Sequence, residues 1–285
     1  MYEIDIIYVL FSFIFITIPC RAMLLPMGVY PLRYLPTGHV FIDAEDDCNR
    51  VVDALLETGY EEDFCLARDF EEDFISRLME AGFLVMSMEL ADDEPYVENS
   101  AGTVKNTFFI LLPKLHLVRS VLFFRDLHIK RSIRPFLPRY ELRVNTDFDF
   151  ILDKCVQIHG ADWLTPPLAR ILKNMRRMNM RRMNIRRMNM RHMDLPARPF
   201  SFAVYREGEL KAGEIGVVAG RVYTSYSGYY EEDNAGTAQM ILMTKWLKEN
   251  GFAFLDFGMP LDYKTSLGAQ NIDPRRFVEL FRSAR

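Results

Sequence analysis

The chain has 285 residues and a formal net charge of −4. That balance excludes a protein that coats nucleic acid with its whole surface, although a local basic face remains compatible with it. Hydrophobic residues make up 49 %, and the four cysteines (Cys20, Cys48, Cys65, Cys155) are scattered with no CxxC; a disulfide-stapled mini-domain and a thiolate zinc site are excluded in favour of a large core with reduced thiols.

Residues 6–18 form an uncharged apolar run. It is short for a membrane span, which needs roughly 20 residues. Glu3 and Asp5 stand where a secretion signal carries positive charge. The readings are an export signal, a start codon assigned too early, with Met23 or Met27 as the true start, or a non-essential apolar arm over 1–27. The rest of the chain reads as cytoplasmic, with no membrane association.

Residues 28–100 are acidic and read as a small α/β subdomain. A helix is predicted over 46–58, with Val51, Val52, Leu55 and Leu56 on one face and Gly59 as its stop. A second is predicted over 70–81, with Phe74, Ile75 and Leu78 inward and Gly82 as the stop. A strand follows over 83–88. The main domain is expected over 101–285. Strands are predicted over 107–112, 118–124 and 140–145, and charge turns basic between Lys114 and Arg143. A helix over 147–159 is expected to be capped by Asp147 and to bury Phe150, Ile151, Cys155 and Ile158. Trp163-Leu-Thr-Pro-Pro-Leu starts another helix, with proline in the first turn, where the missing N–H is harmless.

Residues 174–193 are an insertion made of four copies of one pentad, NMRRM, NMRRM, NIRRM and NMRHM. A period of five matches neither helix nor strand, so no single apolar face is expected. The tract reads as a flexible surface loop from a tandem duplication, as an arginine arm for RNA phosphates, or as both. Ordered structure resumes with strands over 198–205, 210–218 and 221–225 joined by Glu207-Gly208 and Ala219-Gly220 turns. A helix over 235–250 follows, with Asn234 at its cap and Gly251 as its stop. A strand over 252–257 holds one acid, Asp256, and a closing helix spans 274–282. Strand, small-residue turn, amphipathic helix, strand is the order of a β-α-β acyltransferase core.

Several ordered motifs carry a resemblance. Val121-Leu-Phe-Phe-Arg-Asp-Leu-His-Ile-Lys-Arg-Ser, the helix entered through Arg143-Val-Asn-Thr-Asp, Asp162-Trp163-Leu164-Thr165, Glu209-Leu210-Lys-Ala-Gly, Asp256, Ser266-Leu-Gly-Ala and Arg275-Arg-Phe-Val-Glu-Leu resemble, in order, segments of the leucyl/phenylalanyl-tRNA–protein transferases. The resemblance implies an α/β (α+β) fold: a GNAT-like acyltransferase domain with a mixed, mostly antiparallel sheet, plus a smaller N-terminal subdomain. It implies transfer of Leu or Phe from aminoacyl-tRNA to the N-terminal Arg or Lys of an acceptor protein, which marks that protein for degradation. The departures fall at the chemistry. Tyr226 stands at the family's glutamate, Gly258 at its glutamine, Phe200-Ser-Phe-Ala at its HSxE, and Leu172 at its helix tyrosine.

On this resemblance Asp256 is the expected proton acceptor or amine-orienting group, and Tyr226 the expected donor to the ester carbonyl or ribose. Trp163 is placed to stack the terminal adenine, with Ser227, Tyr229, Gly258 and Ser266 at the substrates. Arg125, Lys130, Arg131 and Arg134 are placed on the acceptor-stem phosphates. Read from the residues alone, Asp256 is equally a strand-end cap, the tyrosines and Trp163 core packing, and the basic run a solvated face. No P-loop, GxSxG, metal cluster or pyrophosphate-cradling acetyl-CoA loop is found, so no cofactor and no metal are expected. The expected partners are aminoacyl-tRNA and an acceptor N-terminus, and the expected state is a monomer. A non-catalytic RNA- or peptide-binding module and an acyltransferase with a different carrier are the alternatives.

Overall fold

The computed structural model describes residues 21–22, 30–91, 97–99, 102–104, 107–186 and 196–285; the apolar run at 6–18 and the end of the pentad tract lie outside them. Two-residue strands β1 (Arg21–Ala22), β2 (Arg33–Tyr34) and β3 (Val40–Phe41) make a small antiparallel sheet. Helices α1 (Cys48–Thr58) and α2 (Glu72–Ala81) end at glycines in the left-handed region, Gly59 at φ 65° and Gly82 at φ 107°, as their spacing predicts. Strand β4 (Leu84–Ala91) pairs antiparallel with β7 (Thr107–Lys114); β5 (Val97–Asn99) and β6 (Gly102–Val104) form a hairpin between them. Position 100, the expected boundary, therefore falls between two paired strands.

The remaining elements are β8 (Arg119–Leu122), β9 (Glu141–Val144), α3 (Phe148–His159), α4 (Pro166–Arg186), β10 (Ala197–Arg206), β11 (Glu209–Ala219), β12 (Val222–Tyr230), α5 (Ala235–Glu249), β13 (Phe254–Asp256), α6 (Asp262–Ser266), β14 (Gln270–Ile272) and α7 (Pro274–Ser283). The strands form one mixed sheet in the order β14-β8-β13-β12-β11-β10-β9. Its pairs are antiparallel except β12 with β13, which are parallel and joined through α5.

Both faces of the sheet are covered, which is why β11 reads as a nearly continuous apolar run. Ile215, Val217 and Ala219 of β11 face a core shared with Ile151 and Leu152 of α3, Leu168 and Leu172 of α4, Phe74 of α2 and Phe277 of α7. Val218 faces the other way, into a core with Phe202, Tyr223, Ile241, Leu247 and Leu255. On that side Phe200, Phe202, Tyr223 and Trp246 meet ring to ring at 5.2–6.3 Å. The sulfur atoms of Cys48, Cys65 and Cys155 are buried and unpaired.

Three local expectations are corrected. Asp147 does not cap α3 with its side chain; its φ is 55° and its carboxylate accepts from the Tyr205 hydroxyl at 2.8 Å. The buried stripe of α3 is Phe148, Ile151, Leu152 and Cys155, whereas Phe150 and Ile158 are about half exposed, at 51 % and 52 %. The pentad tract is not a loop over its first part, because α4 runs through it to Arg186. Leu168, Ile171, Leu172 and Met175 are buried at spacings of three and four, which continues the upstream helical stripe into the first copy. Arg176 is buried as well and donates to the Asn145 carbonyl at 2.8 Å. Among the described residues no helix is long and apolar enough to cross a membrane.

Candidate functional site

A cavity of about 780 Å³ opens at the end of β12 and is lined from several distant parts of the chain. The second half of strand β12, which runs on to Tyr230 where the sequence predicts a turn after residue 225, contributes Ser225 to Tyr230; α5 contributes Gly236, Thr237, Gln239 and Met240, and the segment after β13 contributes Phe257, Met259, Leu261, Tyr263 and Lys264. Leu84 and Met86 of β4, His116, His159 and Trp163 close the remaining wall. Tyr230, Met259, Leu261 and Tyr263 are exposed and give the cavity an apolar rim. Of the residues singled out from the sequence, Trp163, Tyr226, Ser227 and Tyr229 line it together.

Tyr226 is tied to the opposite wall, where its phenol oxygen accepts the Val85 N–H at 2.9 Å. That bond uses a lone pair and not the phenolic proton. Burial pushes the Tyr226 pKa up, so the group is a neutral hydrogen-bond donor near pH 7. The Trp163 and Tyr226 rings lie 6.3 Å apart and tilted.

Asp256 is brought near Tyr226 but does not line the cavity. It is fully buried and held by Arg119, whose Nε and Nη2 donate to its two oxygens at 2.8 and 2.7 Å. The Gly258 N–H and the Thr224 hydroxyl supply two more donors, both at 2.9 Å. Arg119 in turn lies over the Phe277 ring. Burial pushes the Asp256 carboxyl up, but the Arg119 guanidinium and these hydrogen bonds outweigh it and hold the pKa below the usual carboxylate value. A carboxylate with four accepted hydrogen bonds has no free lone pair for a substrate proton, so the expected proton-accepting role does not fit. The lone strand acid is one half of an ion pair.

Gly258 is likewise behind the cavity wall, between Phe257 and Met259, which do line it. Its φ is 68°, and a Cβ there would lie 2.9 Å from Leu84 Cδ1. Ser266 is exposed and faces a separate depression of about 220 Å³, bounded by His128, Lys130, Ser132 and Tyr263. This depression shares Asn234, Thr237, Met240 and Tyr263 with the larger cavity. The SLGA turn closes it from below: a Cβ on Gly268 would meet the Asp126 carbonyl oxygen at 1.9 Å, and His128 N–H donates to the Leu267 carbonyl at 2.8 Å. The turn thereby fixes the start of the basic segment.

The basic run divides in two. Lys114 lies 3.5 Å from Asp63, Arg119 belongs to Asp256, and Arg143 pairs with Glu141. Arg125, Lys130, Arg131 and Arg134 are exposed, and of the four Lys130 lines the depression; Arg134 donates to the Ile129 carbonyl, and Arg125 lies 3.7 Å from Asp126.

The buried Lys264 and Glu214 are among the cavity residues that the sequence does not single out. Lys264 is buried and donates to the carbonyls of Phe257 and Met259 at 2.7 and 2.8 Å, which ties down the rim. Burial pushes its pKa down to about 8. Glu214 is 4 % exposed and lines the cavity from β11. Its Oε2 accepts from Gln239 Nε2 at 2.9 Å, and its Oε1 has no hydrogen-bond partner. Burial raises its pKa against the pull of Ser225, Gln239, Tyr223 and Lys264. The available signal was an acid inside an apolar strand, the same signal that singled out Asp256. Among the described residues no group of three or more His, Cys, Asp or Glu can hold a metal ion.

The family model described as leucyl/phenylalanyl-tRNA protein transferase matches residues 121–282. The chain is 30 % identical over 166 residues to the leucyl/phenylalanyl-tRNA–protein transferase of Pseudomonas putida, and 28 % identical over 166 residues to that of Pseudomonas entomophila. Each alignment covers 56 % of this chain and 66 % of the relative, slightly under two thirds of its length. Among solved structures, L-PGS from Bacillus licheniformis aligns over 90 % of each chain at 12 % identity with a TM-score of 0.36.

Proposed function

The chain belongs to the leucyl/phenylalanyl-tRNA protein transferase family, and from that premise we propose that it moves an amino acid from aminoacyl-tRNA to the N-terminal amine of an acceptor protein, as an N-degron tag. One observation carries the reading: motif residues separated by about a hundred positions, Trp163, Ser225–Tyr230 and the segment through Lys264, converge on one cavity, which adjoins a depression lined by Lys130 of the exposed basic segment. The parallel β12–α5–β13 crossover supports a GNAT-like arrangement of the transferase unit. The β4–β7 pairing supports ending the small N-terminal unit at Lys114 and not at 100.

Aminolysis of an aminoacyl ester asks mainly for placement. The amine nitrogen forms a bond to the ester carbonyl carbon, the bond from that carbon to the ribose oxygen breaks, and the amine's proton ends on the ribose oxygen. In this reading Tyr226 donates its phenolic proton as a hydrogen bond to the ester or ribose, and Trp163 stacks the terminal base. Tyr229 and Ser227 line the substrates. Lys264 keeps the rim in place, and Arg125, Lys130, Arg131 and Arg134 hold acceptor-stem phosphates. Asp256 acts as a positioning residue through Arg119, Thr224 and the Gly258 N–H. The amine's own proton moves by way of the substrate or solvent.

The second reading is a binding module without turnover. It draws on Asp256 being spent in the ion pair and on glycine at position 258. Incubating the protein with labelled Leu-, Phe- and Met-tRNA and peptides of different N-termini separates the two. Label passing to a peptide, and a drop of about tenfold or more in Tyr226→Phe, is expected on the loss of one transition-state donor. RNA binding with no transfer from any of the three supports the module.

A further inference from the structure

Glu214 presents a buried acceptor that the fold leaves unused. Its strand neighbours are Gly213 and Ile215, and across the sheet it faces Phe202 and Gly228, so neither residue directly opposite carries a side-chain donor. The Tyr223 and Ser225 hydroxyls of β12 lie beside the carboxylate as donors that pull its pKa down, but neither reaches Oε1 at ordinary hydrogen-bond geometry, and the Tyr223 hydroxyl is left without a partner as well. Gln239 holds the other oxygen and fixes the side chain from α5. Lys264, whose charge also pulls the Glu214 pKa down, gives two of its three N–H donors to the Phe257 and Met259 carbonyls and none to Oε1. Burying a carboxylate oxygen without a partner is costly, and native structures rarely carry one without a use. One wall of the cavity is aromatic and apolar (Trp163, Tyr226, Tyr229, Met240, Phe257) and offers a sleeve for an aliphatic stem; Lys114, His116, His159 and the exposed Asp233 also line the cavity.

We propose that Glu214 is the specificity-determining residue of this cavity, and that it takes the N–H donors at the end of an extended side chain, an ammonium or guanidinium, whose methylenes lie along the aromatic wall. This rests on the reading above in taking the cavity as the place where the two substrates meet. Either substrate can supply such a side chain: the amino acid carried by the tRNA or the first residue of the acceptor. Glu214 stands on the strand next to Tyr226, so the cavity has a carboxylate although position 226 lacks one.

The test is equilibrium binding to the full-length protein, which needs no turnover. One arm uses 3′-amino-3′-deoxyadenosine amides of lysine, arginine and norleucine as stable mimics of the charged tRNA end. The other uses Lys-Ala, Arg-Ala and norleucyl-Ala amides as mimics of the acceptor. In at least one arm the lysine or arginine probe should bind about tenfold or more tighter than norleucine, because a site built to bond a donor rejects the analogue that lacks it. Glu214→Leu should abolish that preference, and Glu214→Gln should keep part of it, since Oε1 remains an acceptor in a side chain of the same shape. The arm in which the preference appears identifies the source. Equal binding of norleucine in both arms, a preference that survives Glu214→Leu in a protein with an unchanged unfolding midpoint, or no binding of any probe overturns the inference. A protein that shows the preference but transfers nothing from any aminoacyl-tRNA keeps this inference and loses the transferase reading.

Discussion

Removing one member of the Arg119–Asp256 pair leaves the other charge buried without a counterion, at a cost of about 3–5 kcal/mol. Asp256→Asn and Arg119→Met are therefore expected to lower the unfolding free energy by that much each in denaturant titrations. The double variant should lose less than the sum of the two, since each single change strands the other's charge. Loss of transfer in Asp256→Ala then reports a shifted wall as well as any chemistry. The acid is visible in the sequence as an interruption of an apolar strand. Its partner is not: Arg119 lies 137 positions away and reads as one more charge of a basic run. Lys264 gives a pH signature. Its folded pKa of about 8 lies below its ordinary 10.5. Below pH 8 both the folded and unfolded states carry the proton. Between the two values only the unfolded state does, so stability rises with pH there. Relative to Lys264→Met, the wild type should gain about 2–3 kcal/mol between pH 8 and 10.5, read from paired unfolding curves. A constant difference across that range would remove the desolvation argument.

Helix α4 shows how an element can be hidden by its own regularity. A five-residue period carries no amphipathic signal, and the tract reads as a loop on that ground. The helix is set by what precedes the tract: Leu168, Ile171, Leu172 and Met175 form one stripe against α3 and β10, and once nucleated it propagates through helix-favouring Arg and Met. Met175→Ala is expected to cost about 2–5 kcal/mol, as for other fully buried large side chains. Phe150→Ala, on the exposed side of α3, should stay within about 1 kcal/mol. Equal effects in thermal unfolding would mean that the tract does not pack as described. Elements with a strong local code are legible: the glycine stops of α1 and α2, the β10–β11–β12 meander and the α5 helix. The short β2, β3 and β14 carry too few residues for any period to register, and β14 exists only because β8 offers it an edge.

At the scale of the molecule, the sequence shows the order of the motifs but not the wall they share with the N-terminal region. Leu84, Met86 and His116 reach the cavity because β4 docks on strand β12 through the Val85–Tyr226 hydrogen bond, a link across 141 positions that no local pattern announces. Charge is distributed on the same scale. The net charge of −4 conceals an exposed basic edge, Arg125, Lys130, Arg131 and Arg134, which meets the smaller depression at Lys130. If RNA phosphates lie on that edge, binding releases counterions and weakens linearly in the logarithm of salt concentration. Replacing the four residues by glutamine should weaken tRNA binding at low salt whatever the tRNA sequence. It should also flatten the log–log salt slope by about one unit for each phosphate that is no longer neutralised. The unfolding midpoint should stay near that of the wild type, because none of the four is buried. The comparison requires titrations at several salt concentrations, since an affinity at one concentration does not distinguish weaker pairing with phosphates from weaker pairing with bases. A variant that keeps the wild-type slope would move the nucleic acid off this edge, leaving the cavity to take its substrates from another direction.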